Sequence, residues 1–340
     1  MKFLKKIKHF FVALYHLFLA AGKGFAEDKV MKLSASLAYY TIFALTPLII
    51  IVISAASIFF GNKINPGTEL FSQISEMVGT DAANQLRGFV DHANLTGKST
   101  VGLIIGIVTL VIASTAIFVE IQDSINIIWQ VRAVPKKGWL KMLTNRLLSF
   151  SLIVSLGFLL LVSLVINSVI VSLGSHLSTF LQRSNINHVI PIATDTMALI
   201  IYVLNTALTL LAVTAVFTII FKVLPDVDMK WKTPIMGALF TALLFSLGQY
   251  VIGVYIQKGN PGSAFGAASS IIVILVWIYY TSVILYFGAE FTQAYAEKYE
   301  KGIRPSKYAV HVKTSVEEEK VSVLPKQHPE DTNEQPGEKD

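Results

Sequence analysis

Long apolar stretches alternate with short polar segments along most of this chain. Six of the stretches contain no Asp, Glu, Lys or Arg, and they cover residues 33–60, 101–119, 147–173, 196–221, 233–257 and 265–289. A helix needs about 20 apolar residues to cross the hydrocarbon core of a bilayer, because lipid offers no partner to its backbone polar groups. The pattern therefore predicts an all-α fold, a polytopic membrane bundle with six transmembrane helices.

The two ends of the chain follow different patterns. Residues 1–32 place apolar side chains on one helical face and lysines mostly off it, which predicts a cytoplasmic amphipathic arm at the membrane interface. A cleaved signal peptide is the alternative, since a basic start precedes an uncharged run over residues 10–22. Residues 33–300 form the predicted transmembrane domain. Residues 301–340 are polar and nearly free of aromatics, which predicts a disordered cytoplasmic tail.

The composition supports the assignment to the membrane. Hydrophobic residues make up 53% of the 340 positions and charged residues only 15%. The mean hydropathy is +0.60, which is hard to reconcile with a soluble globular domain of this length. Cysteine is absent, which excludes disulfides, thiolate nucleophiles and cysteine metal sites.

The basic residues are distributed unevenly between the two predicted sides of the membrane. Of the 28 Lys and Arg residues, 23 lie in the two terminal segments and in the loops after the second and fourth spans. Because positive charge is retained on the cytoplasmic side, this pattern predicts that both termini are cytoplasmic. The net charge of +6 is spread over membrane flanks rather than over one soluble face, so membrane lipids are the predicted partners and nucleic acid is not.

Two features of the predicted helices concern packing or bending. Gly102, Gly106 and Ala113 belong to a stripe of small residues on the second span, which ends at Glu120. Such a stripe lets two helices approach closely in lipid, and the alternative is a thin wall beside a substrate path. Pro47 removes a backbone hydrogen bond in the first span and predicts a kink or break there.

The candidate chemistry is a polar cluster close to the predicted cytoplasmic face. Glu120, Asp123 and Asn126 follow one another at spacings of three residues where the second span ends. Glu290 stands at a matching depth at the end of the last span. Gln249, an amide inside the fifth span, also needs a hydrogen-bonding partner because hydrocarbon offers none. These five residues are the predicted functional site.

Two interpretations of the carboxylates remain open. Charged groups at membrane depth are costly and are often functional, which favours a gate or a proton site. Carboxylates at helix ends can instead form a structural ion-pair network with basic loop residues such as Arg146 or Lys222. The residues alone do not choose between these interpretations.

Signatures of enzymes are missing from the sequence. The seven histidines form neither a close HxH pair nor an HExxH pair, and no glycine-rich phosphate loop follows a predicted strand. We therefore expect a protein that is not an enzyme, with no catalytic, metal-binding or cofactor-binding residues and no cofactor. The sequence makes no prediction of the oligomeric state.

Residues 221–299 resemble the YihY/virulence factor BrkB family of bacterial inner-membrane proteins. The resemblance rests on a VLP segment at Leu224 and Pro225, a Gly-Ala-Leu stretch from Gly237, and a GAE sequence that ends at Glu290. The stretches LSASLAYYTIFALTPLIIIV and EIQDSINIIW agree with it. The resemblance implies a multi-pass protein of the inner membrane with a transporter-like or envelope-related role.

Many members of this family carry an older ribonuclease BN label, which the residues do not support. A metal-dependent ribonuclease needs clustered His and Asp ligands and an exposed basic surface, and this sequence has neither. The first hypothesis is a transporter or flippase for a small lipophilic or amphipathic solute. The alternative is a structural or scaffolding membrane protein that binds lipids or envelope partners, and an intramembrane enzyme is a third hypothesis without a nucleophile.

Overall fold

The computed structural model describes residues 2–43, 71–72, 75, 83–84, 87–88, 115–134, 191–259 and 269–313. Predictions for Pro47, Gly102, Gly106 and Ala113 lie outside these residues, as does the whole predicted third span. Three described helices are long and apolar enough to cross a membrane, with windows at Thr206–Val223, Lys232–Tyr255 and Ile271–Tyr299. They coincide with the fourth, fifth and sixth spans expected from the sequence.

The described elements are mostly helices. Helix α1 covers Lys2–Glu27, and the helical residues 30–43 and 115–128 are named α2 and α3. Helices α4, α5 and α6 cover Pro191–Val223, Lys232–Gly259 and Ser269–Tyr299. Four short strands are β1 at Val131–Ala133, β2 at Val227–Asp228, β3 at Arg304–Pro305 and β4 at Ala309–His311.

A tight break separates α1 from α2. The Asp28 backbone N–H still donates to the Gly24 carbonyl at 2.8 Å, but Lys29 adopts a positive φ of 53°. This left-handed conformation ends the helical hydrogen-bond pattern. The chain resumes as α2 at Val30, whose side chain is fully buried. The predicted arm is therefore a helix that ends five residues before residue 32, and α2 begins before the predicted span.

Helices α5 and α6 run antiparallel and interlock through two glycines. A Cβ atom built on Gly237 of α5 would lie 1.9 Å from the Thr292 hydroxyl of α6. In the reciprocal contact, a Cβ atom on Gly288 of α6 would lie 2.0 Å from the Thr241 hydroxyl of α5. Each threonine hydroxyl donates to the glycine carbonyl one turn earlier on its own helix. Small residues allow this close approach, and packing contacts rather than hydrophobic exclusion hold helices together in lipid.

Helix α6 extends beyond the predicted span, which ends at residue 289. Its 31 residues have a length of about 46 Å, whereas the hydrocarbon core is about 30 Å thick. The additional turns pack against α1, where Leu17 and Ala21 contact Phe291 and Tyr295. The α1 helix is therefore docked along the end of α6 over its second half.

The segment after α6 folds back on two connections of the bundle. Strand β3 pairs with β2, and β4 pairs with β1, in both cases antiparallel. Gly302, with a φ of 82°, lets the chain turn, and its N–H donates to the Ala296 carbonyl at 3.0 Å. Our expectation of disorder from residue 301 is therefore corrected for residues 301–313, because main-chain pairing orders a segment that buries little apolar surface. Residues 314–340 lie outside the described part of the chain.

The buried core collects at one end of the described bundle. It contains Val30 at the start of α2, Ile125 near the end of α3, Phe221 near the end of α4, Ala238 near the start of α5 and Ala289 of α6. Helices α2 and α5 thus start at this end of the bundle, whereas α3, α4 and α6 end there. We call this region the junction end.

Candidate functional site

A hydrogen-bonded network at the junction end joins α3 to the α4–α5 connection. Asn126 donates from Nδ2 to Asp226 Oδ2 at 3.0 Å, and the Asp226 backbone N–H donates to Asn126 Oδ1 at 2.9 Å. Gln122, one turn earlier on α3, donates to the same Asp226 oxygen at 3.2 Å. Asp226 is 3% exposed and follows Pro225, which cannot extend the α4 hydrogen-bond pattern. Asn126 therefore serves as a two-sided clamp on a buried carboxylate.

Glu120 and Asp123 lie at the edge of this network. The Asp123 side chain is exposed on one side, yet partial burial raises its pKa, and the negative charges of Glu120 and Asp226 raise it further. On α6, the Tyr286 hydroxyl is buried without a hydrogen-bond partner. The carboxylates of Glu120, Asp123 and Asp226 therefore concentrate negative charge at this edge of the network.

Lys222, one of the two basic residues expected to neutralise the carboxylates, is engaged elsewhere. Its ammonium donates to the Met229 carbonyl and lies 5.8 Å from the centre of the Trp231 ring. Both partners belong to the α4–α5 connection, so Lys222 stabilises that loop rather than an ion pair. Arg146, the other expected partner, lies outside the described residues.

Glu290 belongs to a second acidic group, formed by α6 and the end of α1. Its carboxyl lies beside the Asp28 carboxyl, close enough for the two groups to share a hydrogen bond, and the side chain is only 4% exposed. A Cβ atom built on Gly24 would lie 2.2 Å from Glu290 Oε2, so the carboxyl lies directly against the α1 backbone. The other oxygen, Oε1, has no hydrogen-bond partner. One residue earlier, the Ala289 carbonyl accepts a bond of 3.0 Å from the Trp129 indole N–H.

The electrostatic surroundings of the Asp28–Glu290 pair are acidic. Burial raises the pKa of Asp28, the hydrogen bond with Glu290 opposes that rise, and the charge of Glu27 adds to it. Lys23 forms an ion pair of 3.7 Å with Glu27 on the exposed side of α1. The charged groups that act on these two carboxyls are themselves acidic: Glu27 acts on both, and Glu297 acts on Glu290.

The predicted five-residue cluster is thus divided by the fold. Glu120, Asp123 and Asn126 lie together on α3, as expected, whereas Glu290 is paired with Asp28. Gln249 lies on α5 about ten residues from the level of Glu290, which corresponds to about 15 Å along the helix axis. The fold separates these groups because α5 and α6 are antiparallel and the α1 end covers Glu290.

Three residues at these two sites were not expected from the sequence. Asp226 lies in a loop, Asp28 lies in the amphipathic arm, and Gly24 carries no chemistry of its own. The Pro-Asp sequence after an apolar span was a signal for a buried turn, but it gave no hint of its partner on α3. Among the described residues, no group of three His, Asp or Glu side chains could hold a metal ion.

Comparisons with known proteins agree with the family resemblance. A family model described as virulence factor BrkB matches residues 21–311. The chain is 27% identical over 274 residues to a UPF0761 membrane protein of Pseudomonas paraeruginosa, and this alignment covers 78% of this chain and 59% of the relative. A UPF0761 membrane protein of Alcanivorax borkumensis is 26% identical, with 85% of this chain and 60% of the relative covered.

A third relative, a UPF0761 membrane protein of Tolumonas auensis, is 25% identical, with 80% of this chain and 82% of the relative covered. The chain spans about three fifths of the length of the Pseudomonas and Alcanivorax relatives. No solved structure matches it. Because the family model covers most of the sequence and the described helices are apolar enough to cross a membrane, this chain belongs to the virulence factor BrkB family of membrane proteins.

Proposed function

We propose that this protein crosses the bacterial inner membrane six times with both termini in the cytoplasm, and that it moves a small lipophilic or amphipathic solute. Three observations support the topology: the six apolar stretches, the uneven distribution of Lys and Arg, and the junction end, where α2 and α5 start and α3, α4 and α6 end. The junction end is then the cytoplasmic end.

The topology can be tested with single cysteines, because the natural chain has none. Val310→Cys in β4 should react with a membrane-impermeant thiol reagent only after the inner membrane is permeabilised. Lys98→Cys, in the predicted external loop, should react in intact spheroplasts. The reverse accessibility of these two positions would contradict the proposed orientation.

The observation that carries the transport proposal is the buried Glu290 carboxyl. The Glu290 side chain is buried in the last helix of the bundle, beside the Asp28 carboxyl. One of its two carboxyl oxygens has no hydrogen-bond partner. A purely structural helix would gain stability from an apolar residue there, because an unpaired buried polar atom costs about 1–3 kcal/mol. Carboxyl groups at such positions are typical of solute and ion pathways.

Reconstitution into liposomes tests the proposal. A panel of fluorescent phospholipids and amphipathic solutes should include at least one that crosses faster than in protein-free liposomes. For that solute, Glu290→Gln should change the rate by about tenfold, equivalent to about 1.4 kcal/mol of barrier. Glu300→Gln, which alters a carboxyl just after the end of the same helix and not among the charged groups acting on Glu290, should leave the rate unchanged. A panel with no flux above that of empty liposomes would contradict transport.

A scaffolding role is the second candidate, and the clamp between Asn126 and Asp226 favours it. Together with the pairing of β3 and β4 on two connections, that clamp fixes the junction end as a rigid surface. If the protein is a scaffold that binds lipids or envelope partners, in-cell cross-linking from Val310 or Tyr308 should yield a reproducible partner. Neither proposal assigns an enzymatic reaction or a cofactor to the chain.

A further inference from the structure

The Asp28 and Glu290 carboxyl groups lie beside each other where α1 packs on α6. Glu290 Oε2 lies against Gly24, one helical turn before Asp28, and each carboxyl acts on the electrostatics of the other. Two ionised carboxylates close together in a buried place repel each other, whereas one proton shared between them removes the repulsion and supplies a hydrogen bond. A shared proton therefore favours the observed packing of α1 on α6.

The surroundings of Glu290 reinforce this requirement. The charged groups that act on it are Asp28 and Glu27 from the end of α1, and Glu297 from α6 itself; all three are acidic. In the stretch of chain that is described, Lys23 is directed to Glu27, and both of these side chains are largely exposed. The charged groups that act on Glu290 therefore include no basic residue that could neutralise the pair in place of a proton.

The backbone is shaped to bring the two acids together. Gly24 leaves the space that the Glu290 carboxyl occupies, and even the Cβ atom of alanine would approach Oε2 to 2.2 Å. Glu290 Oε1 is buried and has no hydrogen-bond partner. Asp28 lies at the break between α1 and α2, directly before Lys29 with its positive φ.

We propose that Asp28 and Glu290 form a proton-binding site that holds α1 on α6, and that loss of the shared proton releases α1. The step is the transfer of one proton between the pair and water at the junction end, and no other bond is made or broken. The pair titrates as a unit, so its protonation belongs to both residues. This inference goes beyond transport, because it concerns proton binding and helix docking alone.

The direction of the pH dependence follows from the charges. Burial raises the pKa of Asp28, so the proton is retained above the ordinary range of an aspartate. Docking of α1 is then fully present at low pH and is lost as the pH rises through the titration of the pair. A transition that exchanges one proton changes the ratio of docked to released states about tenfold per pH unit.

Distance measurements on the full chain in lipid nanodiscs test the proposal. Spin labels are attached at Ala20→Cys on α1 and Val310→Cys on β4, two exposed positions in a chain without natural cysteine. Pulsed electron paramagnetic resonance then gives the distance distribution between about pH 5 and about pH 10, a range that spans a raised carboxyl titration. We expect a single docked distance at low pH and a growing fraction of longer distances at high pH.

Two variants separate the pair from the other acidic residues. Glu290→Gln can donate a hydrogen bond to the Asp28 carboxylate without a titrating proton, so α1 should stay docked at every pH. Glu300→Gln, which changes a carboxyl that is not among the charged groups acting on Glu290, should behave like the unsubstituted chain. A distance distribution that does not change with pH in the unsubstituted chain, or a Glu290→Gln variant that responds as strongly, would overturn the proposal.

Infrared spectroscopy provides a second readout that does not require α1 to move. The C=O stretch of a protonated carboxyl should disappear from the unsubstituted protein as the pH rises and should be absent from Glu290→Gln. If Glu290→Gln fails to fold, as judged by size-exclusion chromatography, Asp28→Asn replaces it with the same expectation. The absence of a titrating carboxyl band from the unsubstituted protein would overturn the proton site. Because neither measurement uses a solute, their failure is distinct from the failure of transport.

Discussion

Individual glycine residues set the distance between the last two membrane helices. Gly237 and Gly288 each face a threonine hydroxyl of the opposite helix, and both threonines are fully buried. The two contacts are related by the antiparallel arrangement, so the same Gly-x-x-x-Thr pattern occurs in both helices. Hydrophobic exclusion does not drive helix association in lipid, so this local fit is a major source of the packing energy.

Substitution of Gly237 should therefore be costly. Gly237→Ala places a methyl group where the Thr292 hydroxyl lies, and overpacking of this kind costs about 1–3 kcal/mol. The thermal midpoint in detergent should fall accordingly. Gly253→Ala, on the same helix, is the matched control because nothing lies within 4 Å of its Cβ position, and it should be neutral. Equal midpoints for the two variants would contradict the interlock.

The Asn126 side chain should be as important for stability as the glycines. Asn126→Ala removes both of its hydrogen bonds with Asp226, and a bond to a charged group contributes about 1.5–3 kcal/mol. The loss should appear in the thermal midpoint. Gln122→Ala removes a single longer bond from a less buried side chain and should cost less. A larger effect of Gln122→Ala would show that Asn126 is not the principal clamp.

At the scale of single elements, α1 presents three different sides. Leu17 and Ala21 are buried against α6, whereas Tyr15 and Leu19 are 61% and 51% exposed. The exposed apolar residues occupy an arc of about 120° that is distinct from the buried side, and polar residues follow on the third. This division is typical of a helix that lies between a protein surface and a lipid surface.

The exposed apolar side of α1 should contact lipid. A fluorophore attached at Tyr15→Cys should be quenched by brominated lipids in nanodiscs. The control is Ala20→Cys, which is also exposed but lies about 140° further around the helix. Quenching there should be weaker, because that side faces water. Equal quenching at both positions would contradict the interfacial position of α1.

At the scale of the whole molecule, the segment after α6 ties together connections that are far apart in the sequence. Strand β4 pairs with β1 next to α3, and β3 pairs with β2 between α4 and α5. The Val312 N–H also donates to the Gln130 carbonyl at 2.8 Å, which extends the pairing to the end of α3. The junction end is thus closed by main-chain hydrogen bonds as well as by side chains.

Truncation should distinguish the paired part of the tail from the remainder. Removal of residues 301–340 deletes both strands and should lower the free energy of unfolding by about 2–4 kcal/mol, from several main-chain bonds of about 1 kcal/mol each. Removal of residues 314–340 alone should leave the thermal midpoint unchanged, because their composition is too polar to form a core. A loss of stability in the shorter truncation would contradict this division.

The positions of the last three membrane helices followed from the sequence, because twenty apolar residues without charge have few alternatives to crossing a bilayer. The family followed from local motifs such as VLP and GAE. The identification of Glu290 and Asn126 as residues of interest also came from the sequence, since a polar group at that depth needs a partner.

The partners themselves were decided only by the tertiary structure. Glu290 lies beside Asp28, which is 262 positions earlier, and Asn126 is hydrogen-bonded to Asp226, because such contacts depend on distance in space. The same reason explains the order of residues 301–313, whose composition predicted disorder. Hydropathy is a sum over neighbouring residues and could determine which segments lie in the membrane. Pairing depends on how helices cross, which neighbouring residues do not specify.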